Sequence, residues 1–302
     1  MSKNEHFINF KMEQEAWGIG EALLQGILLE VSSYPKPGLV SALSRGAHRD
    51  MNILTFMVSS AAIAAVFYKC AQAGIDHTGE IPDLLPVIRG IGIEYEKRLL
   101  ESTKGVNTQR GILFAGGILC GAAGYRLKKS KSIGSRELFQ IVAQMTEGLV
   151  ARELENINTG KERLTAGEKL YLKYNVKGIR GEVEAGFPAV KDTGLPALKA
   201  AFNQGKCLNQ CIVHTLISLM TCVEDTTILW RKDLNVLTEV QNIAREILAA
   251  GSVFTRKGLE QINKADRYFI TENISPGGSA DLVSITIAAY LLENKQFPCT
   301  LL

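Results

Sequence analysis

Gly111-Ile112-Leu113-Phe114-Ala115-Gly116-Gly117-Ile118-Leu119-Cys120-Gly121-Ala122-Ala123-Gly124-Tyr125-Arg126-Leu127 carries no charge before Arg126. It is apolar nearly all round, without the alternation of a half-buried strand, and so predicts a helix buried on every side. The run is shorter than the roughly 18 residues of a membrane span. A helix of this kind needs other helices to cover it. Gly117 and Gly121, four residues apart, predict a close approach by a neighbouring backbone.

Working outward, helical periodicity continues along the chain. Residues 15–32 repeat Ile19, Leu23 and Ile27, and 50–73 stay apolar from an acidic candidate cap at Asp50. Residues 84–102 place Ile88, Ile91, Tyr95 and Leu99 on one face. Further helices are expected over 135–156, 165–174, 194–204, 208–220, 234–250, 253–271 and 279–293. No period-2 segment, internal repeat or Pro/Ser linker interrupts the pattern. The expected architecture is all-α: a single globular multi-helix domain over 1–302, with a buried Gly-rich helix and active-site loops at helix junctions. The ends, about 1–10 and 295–302, are expected to be flexible. The only candidate boundary is the polar stretch around 130–135.

Composition narrows the function classes. Among 302 residues, 34 Lys and Arg face 31 Asp and Glu, a formal charge of +3, too small for a dedicated nucleic-acid binder. No apolar run reaches membrane length, and the polar N-terminus has no signal-peptide core, so no membrane and a cytoplasmic location are expected. Six scattered cysteines then read as reduced thiols. Cys207, Cys211 and His214 share a helix face and mimic a metal trio, but their Leu and Ile neighbours mark them as core. Standard phosphate-loop, dinucleotide, nucleophile-elbow and zinc-protease signatures are absent.

Polar residues concentrate at five helix junctions. Tyr34-Pro35-Lys36-Pro37-Gly38-Leu39-Val40 leads to Arg45-Gly46-Ala47-His48-Arg49-Asp50-Met51; two prolines hold it extended, and its cations precede a long helix. Thr103-Lys104-Gly105-Val106-Asn107-Thr108-Gln109-Arg110-Gly111 enters the buried helix, with Asn107 or Thr108 as its cap. Residues 177–188 read as a glycine-shaped loop carrying Arg180 and Glu182, and Asp192-Thr193-Gly194 as a helix cap. Val223-Glu224-Asp225-Thr226-Thr227 puts two carboxylates after an apolar helix, unfavourable with its dipole and therefore suited to a metal. Ser275-Pro276-Gly277-Gly278-Ser279-Ala280-Asp281 is a tight turn with Ser279 as N-cap. Each junction alone reads equally as ordinary turn and cap chemistry.

In their order along the chain these five segments resemble the triphosphoribosyl-dephospho-CoA synthase family, which supports citrate lyase and malonate decarboxylase. The carrying motifs are Pro35-Lys36-Pro37-Gly38-Leu39-Val40, Gly46-Ala47-His48-Arg49-Asp50-Met51, Gly105-Val106-Asn107-Thr108, Gly178-Ile179-Arg180-Gly181-Glu182 with Gly186-Phe187-Pro188, Val223-Glu224-Asp225-Thr226, and Ser275-Pro276-Gly277-Gly278-Ser279-Ala280-Asp281. One departure stands out: the family's Asn-Thr-His-Lys-Gly is Asn107-Thr108-Gln109-Arg110-Gly111 here, which keeps a cation and loses an imidazole.

The resemblance implies transfer of the 5-triphosphoribosyl group of ATP to the 2′-hydroxyl of 3′-dephospho-CoA, with release of adenine. The product is the precursor of a prosthetic group later attached to an acyl carrier protein. Oxocarbenium-like chemistry at the ribose needs a neutralised triphosphate, a stabilised leaving group and a base for the acceptor hydroxyl. Lys36, Arg49, Lys104, Arg110 and Arg180 are the candidate cations. Asn107 and Ser279 are candidate substrate contacts. Asp50, Glu224 and Asp225 are candidate ligands of Mg²⁺, the expected cofactor. Glu182 is the first candidate base and His48 the second, with Asp281 a further catalytic carboxylate. The competing readings are a Mg²⁺-dependent helical nucleotide hydrolase or kinase, and a non-catalytic nucleotide-binding module. The pathway served, a homo-oligomeric state and the position of a pantetheine channel are open at the level of sequence.

Overall fold

The computed structural model describes residues 13–130, 132–157 and 164–299. Among these every regular element is helical: thirteen α-helices with short 3₁₀ and π turns between them, and no strand. The first group is α1 (Gln14–Ser32), α2 (Ile53–Asp76), α3 (Leu84–Ser102) and α4 (Arg110–Lys129). Then follow α5 (Ser135–Thr146), α6 (Ala166–Tyr174), α7 (Gly178–Glu184), α8 (Leu195–Asn203) and α9 (Leu208–Leu219). The last are α10 (Thr226–Arg231), α11 (Leu234–Ala249), α12 (Arg256–Thr271) and α13 (Gly277–Asn294).

The expected central helix is present as α4, buried along most of its length. The close approach sits one turn further on than expected. A Cβ on Gly124 would stand 2.0 Å from Ala71 O, and one on Gly74 would stand 2.1 Å from Gly121 O, so α2 and α4 touch backbone to backbone there. Gly117 instead makes ordinary contact distances to Cys70 and Ile88. A second axial helix, α13, is likewise buried all round and packs on α1, α4, α8, α9 and α10. One continuous apolar core runs from α1 through α4 and α13 to α12. On the far side of 130–135, α5 packs back on α4.

By length and hydropathy alone the 24-residue α2 passes for a membrane span, with mean hydropathy 1.7 over an 18-residue window, contrary to the sequence expectation. Its Ile63, Val66, Phe67, Cys70 and Ala71 are fully buried against α1, α3 and α4, while Leu54 and Val58 in its first turns are exposed. Its cap is not Asp50. Asn52 accepts the Thr55 amide at 3.1 Å, and Thr55 Oγ1 answers the Asn52 amide, a reciprocal box that leaves Asp50 outside the helix.

Other boundaries also moved. The helix expected over 135–156 stops at Thr146; Gly148 turns in the left-handed region and a π turn, Ala151–Glu155, follows. The glycine-shaped loop at 177–188 contains a short helix, α7, started by Gly178 at φ 53°. Asp192 and Thr193 belong to a π turn running into α8 rather than to a cap. Near the C-terminus, Phe297 stacks on Tyr290 and packs on Phe202, so that part of the expected flexible end is anchored. Residues 1–10 and 300–302 lie outside the described residues.

The fold brings all five junctions to one end. The loop between α1 and α2 is held over the site by a small cluster of Val31, Val40 and Met51 with Phe56 and Val106. It is also tied to distant helices: Asp266 accepts the Gly38 amide at 2.9 Å, and Asn209 bonds both backbone groups of Tyr34. Beneath it lie the N-termini of α4, α10 and α13.

Candidate active site

Two cavities open at this end. The first, about 1150 Å³, is lined by Arg45, Arg49, Arg110, Arg231, His48 and Asp50. The second, about 720 Å³, is lined by Glu182, Glu184, Glu224, Lys177, Cys222 and Ala166 among others. Asn107, Gly111, Thr227, Trp230 and Asp281 line both, so the two meet along one wall. One side is cationic and suits phosphate. The other is carboxylate-rich and suits proton transfer.

Asp281 stands at the meeting point, in the first turns of α13 and against the first turn of α4. Its Oδ2 fills the space where a side chain on Gly111 would begin. Burial, with Glu30 and Asp225 nearby, holds its carboxyl well above the usual carboxylate range. Glu182 sits on α7 in the second cavity and accepts the Ala189 amide at 3.3 Å. Burial, with Glu224 and Asp192 nearby, pushes it to about 7. Both carboxyls are thus raised mainly by burial, Asp281 at the shared wall and Glu182 in the second cavity.

His48 is held from both sides. Arg231 Nη2 lies 3.1 Å from Nδ1, and Ser275 Oγ lies 2.9 Å from Nε2. A guanidinium only donates, so Nδ1 accepts and Nε2 carries the proton toward Ser275. Burial and the charge of Arg231 lower His48 to about 4. With both nitrogens engaged, the imidazole is a strut and not a free base. Arg231 also donates to Ala47 O at 2.9 Å and Asn273 Oδ1 at 3.1 Å, joining two loops.

Several residues singled out in sequence lie elsewhere. Lys36 turns inward: its Nζ donates to Glu30 Oε1 at 2.5 Å and to Glu30 O at 2.6 Å, leaving the ammonium buried under the cavity floor and not offered to phosphate. Lys104 is exposed and lines neither cavity. Arg180 is drawn to Glu153 at 2.7 Å, and Arg89 pairs with the same carboxylate. Both guanidiniums face a third groove on the far side of α7. Arg110 pairs with Glu96 and lines both the first cavity and this groove.

Asp225 is also spent. It does not end the preceding helix but caps the next, accepting the Thr227 and Ile228 amides at 3.0 and 3.3 Å. Its other oxygen accepts Ser279 N at 2.8 Å and Ser279 Oγ at 3.0 Å, so α10 and α13 share one cap. Ser279 therefore lies buried inside α13, bonded to Asp225, and is not its N-cap. The dipole argument reverses, because an aspartate at a helix N-terminus is favourable.

The three candidate metal ligands are consequently separate. Asp50 is exposed in the first cavity, Glu224 lines the second, and Asp225 is buried between helices. Among the described residues no three acidic, His or Cys groups gather as a metal centre. Cys211 donates to Lys206 O at 3.4 Å, and His214 bonds Ser252 and packs on Phe254.

Gln109, at the departure from the family pattern, is buried. Its Oε1 accepts Ser59 Oγ at 2.9 Å and its Nε2 donates to Ser60 Oγ at 3.0 Å, pinning the start of α4 to α2. Asn107 Oδ1 accepts the Arg110 amide at 3.3 Å. The Thr108 hydroxyl is buried in the wall of the first cavity without a partner, an orphan of the kind a bound polar ligand satisfies. Arg231 and Trp230 lie just beyond the fourth junction of the sequence reading and outside all five. The signal available was an exposed Trp beside an Arg in a chain with only two tryptophans.

The sequence profile of the family described as ATP:dephospho-CoA triphosphoribosyl transferase matches residues 16–298. The chain belongs to this family. A probable 2-(5″-triphosphoribosyl)-3′-dephosphocoenzyme-A synthase of Malonomonas rubra is 48% identical over 99% of this chain and 95% of its own length. A 2-(5″-triphosphoribosyl)-3′-dephosphocoenzyme-A synthase of Pectobacterium atrosepticum is 38% identical over 90% of this chain and 88% of its own. A longer Leuconostoc mesenteroides protein, CitXG, is 35% identical over 88% of this chain and 57% of its own length. No solved structure matches the chain. The family member described here is thus a transferase of the triphosphoribosyl-dephospho-CoA synthase type, carried on an all-helical frame.

Proposed function

We propose that the chain transfers the triphosphoribosyl group of ATP to the 2′-hydroxyl of 3′-dephospho-CoA across the wall shared by the two cavities. The observation that carries this reading is the meeting of a cationic cavity and a carboxylate-lined cavity at Asp281. Arg45, Arg49, Arg110 and Arg231 would bind the triphosphate. Trp230, exposed at the shared wall, would stack on a base, and Asn107 would orient ribose.

In this reading the C1′–N9 bond of ATP breaks and its electron pair leaves with adenine. The C1′–O2′ bond forms to the acceptor ribose. Glu182, half ionised near pH 7, takes the proton of the 2′-hydroxyl. Asp281, its carboxyl raised by burial, gives a proton to the departing adenine. Asp281, the further catalytic carboxylate of the sequence reading, suits the acid role because burial raises its carboxyl. His48 holds the loop and takes no part in proton transfer.

Mg²⁺ fits as an ion carried on the triphosphate, since it commonly takes one or two carboxylates and completes its shell with phosphate and water. Asp50, exposed among the arginines of the first cavity, would hold it. When bound, it would neutralise phosphate charge. The product would serve as the prosthetic-group precursor for an acyl carrier protein of the citrate lyase or malonate decarboxylase type. Location in the cytoplasm accords with that role, and the chain is read as one catalytic unit.

Mass spectrometry of the protein incubated with ATP, 3′-dephospho-CoA and Mg²⁺ tests this. Free adenine with an adduct heavier by one triphosphoribosyl group is expected. ADP or AMP in place of adenine would replace this reading with phosphate chemistry. ATP binding with no product would leave a binding module.

A further inference from the structure

The third groove, between α3, α4 and α7, has a volume of about 580 Å³ and adjoins the other two. It shares Arg110 and Gly111 with the first cavity and Gly111, Ala166, Gly167 and Ile179 with the second. All three therefore converge at Gly111, beside Asp281. Its depth is uncharged, formed by Ile88, Leu113, Phe114, Gly117 and Ile118. Its charged lining is three guanidiniums, Arg89, Arg110 and Arg180, and one carboxylate, Glu96; Arg110 pairs with Glu96, while Arg89 and Arg180 share Glu153. Two glycines, Gly92 on α3 and Gly117 on α4, keep it open. A Cβ on Gly92 would meet nothing within 4 Å.

We infer that this groove takes the pantetheine arm of the acceptor, with Arg89 and Arg180 meeting the diphosphate that joins the arm to adenosine. The inference rests on the reading above and adds the binding path of the second substrate. The chemistry matches at both ends. An excess of guanidinium suits a diphosphate, and a long neutral arm with a gem-dimethyl group suits an apolar trough between helices. It also gives Arg180 a duty its distance from Glu182's cavity otherwise denies it. The triphosphate of ATP belongs in the first cavity, so the two phosphate chains enter from opposite sides of the shared wall and bring ribose to ribose near Asp281.

The test is Gly92→Phe, which fills the groove from α3, with Gly90→Phe as control. Gly90 is on the same helix, also has nothing within 4 Å of a built Cβ, and does not line the groove. Calorimetric titration with 3′-dephospho-CoA should show G92F weakened by about tenfold or more, a loss of about 1.4 kcal/mol or more. ADP, the acceptor without its arm, should bind G92F and wild type equally, and G90F should match wild type throughout. If G92F unfolds, Gly117→Leu blocks the same groove from α4 and is read in the same way.

Unchanged 3′-dephospho-CoA affinity in a folded groove-filling variant overturns the inference. So does an equal loss of ADP and 3′-dephospho-CoA, which would make the groove the nucleotide's own site. These failures are distinct from failure of the function, which would appear as a wild-type protein that releases no adenine.

Discussion

A Cβ on Gly111 would stand 1.9 Å from Asp281 Oδ2, so Asp281 reaches the shared wall only because residue 111 has no side chain. Gly111→Ala should push the carboxyl aside, and Asp281→Asn should remove the acid while keeping its shape. Each is expected to lower adenine release by about 10²–10⁴-fold, the usual worth of one general acid or base. The double variant should lose little more than either alone, because both remove the same group. Independent, multiplying losses would show that Gly111 acts through something other than Asp281. The helix-propensity gain of about 0.5–1 kcal/mol for Ala over Gly should offset part of any destabilisation.

Glu182 sets the rising limb of the pH–rate profile. As the base it must be ionised, so kcat/KM should climb as pH rises through about 7. Glu182→Gln should abolish that limb and cut turnover about 10²–10⁴-fold. The stability sign is opposite. The folded-state value is raised above the ordinary 4.5, so the neutral form's contribution is complete below 4.5 and lost as pH rises through about 7. E182Q, which stays neutral, should match wild type in thermal melts at pH 5 and exceed it at pH 8, by on the order of 2 kcal/mol. Near-normal turnover in E182Q would remove Glu182 from the mechanism.

Asp225 should behave as a staple. It accepts four hydrogen bonds from α10 and α13 while buried, so Asp225→Ala orphans all four donors. A loss of about 3–5 kcal/mol is expected in denaturant unfolding, the range for removing one partner of a buried charged network. At a temperature where the variant is folded, its dependence on Mg²⁺ concentration should be that of wild type. A shifted Mg²⁺ requirement with unchanged stability would restore Asp225 as a metal ligand.

His48 and Arg231 make the remaining contrast. With both imidazole nitrogens bonded, His48→Gln should lower kcat less than about tenfold and leave the limb near 7 in place. Arg231→Ala should do more harm, because it frees Ala47, His48 and Asn273 at once and removes a cation from the first cavity. A rise of about tenfold or more in KM for ATP is expected. A pH limb that moves in H48Q would make His48 the base after all.

How much of this was legible in sequence follows from how far each argument reaches. Periodicity along α1, α3, α4, α9 and α11 is local, and those helices appear close to where they were expected. The short α7 and α10 were missed because seven and six residues carry too little periodicity to outweigh their glycines and threonines. The same five junctions that looked overloaded with polar groups do gather at one end of the molecule. Within them, residue type was a poor guide to duty. Lys36, Arg180, Asp225 and Ser279 have the right chemistry and are bonded to protein partners at 2.5–3.0 Å.

An all-helical chain, its central apolar helix, the family and the segments that build the site follow from spacing along the chain and from ordered motifs, which a linear reading contains. Which charges face the cavities follows from the folded arrangement alone. That choice depends on partners far apart in sequence: Asp225 with Ser279, Arg231 with His48, Gly111 with Asp281. A buried charge or hydroxyl must find a partner wherever the fold supplies one, and the side chains left over are the ones available to a ligand.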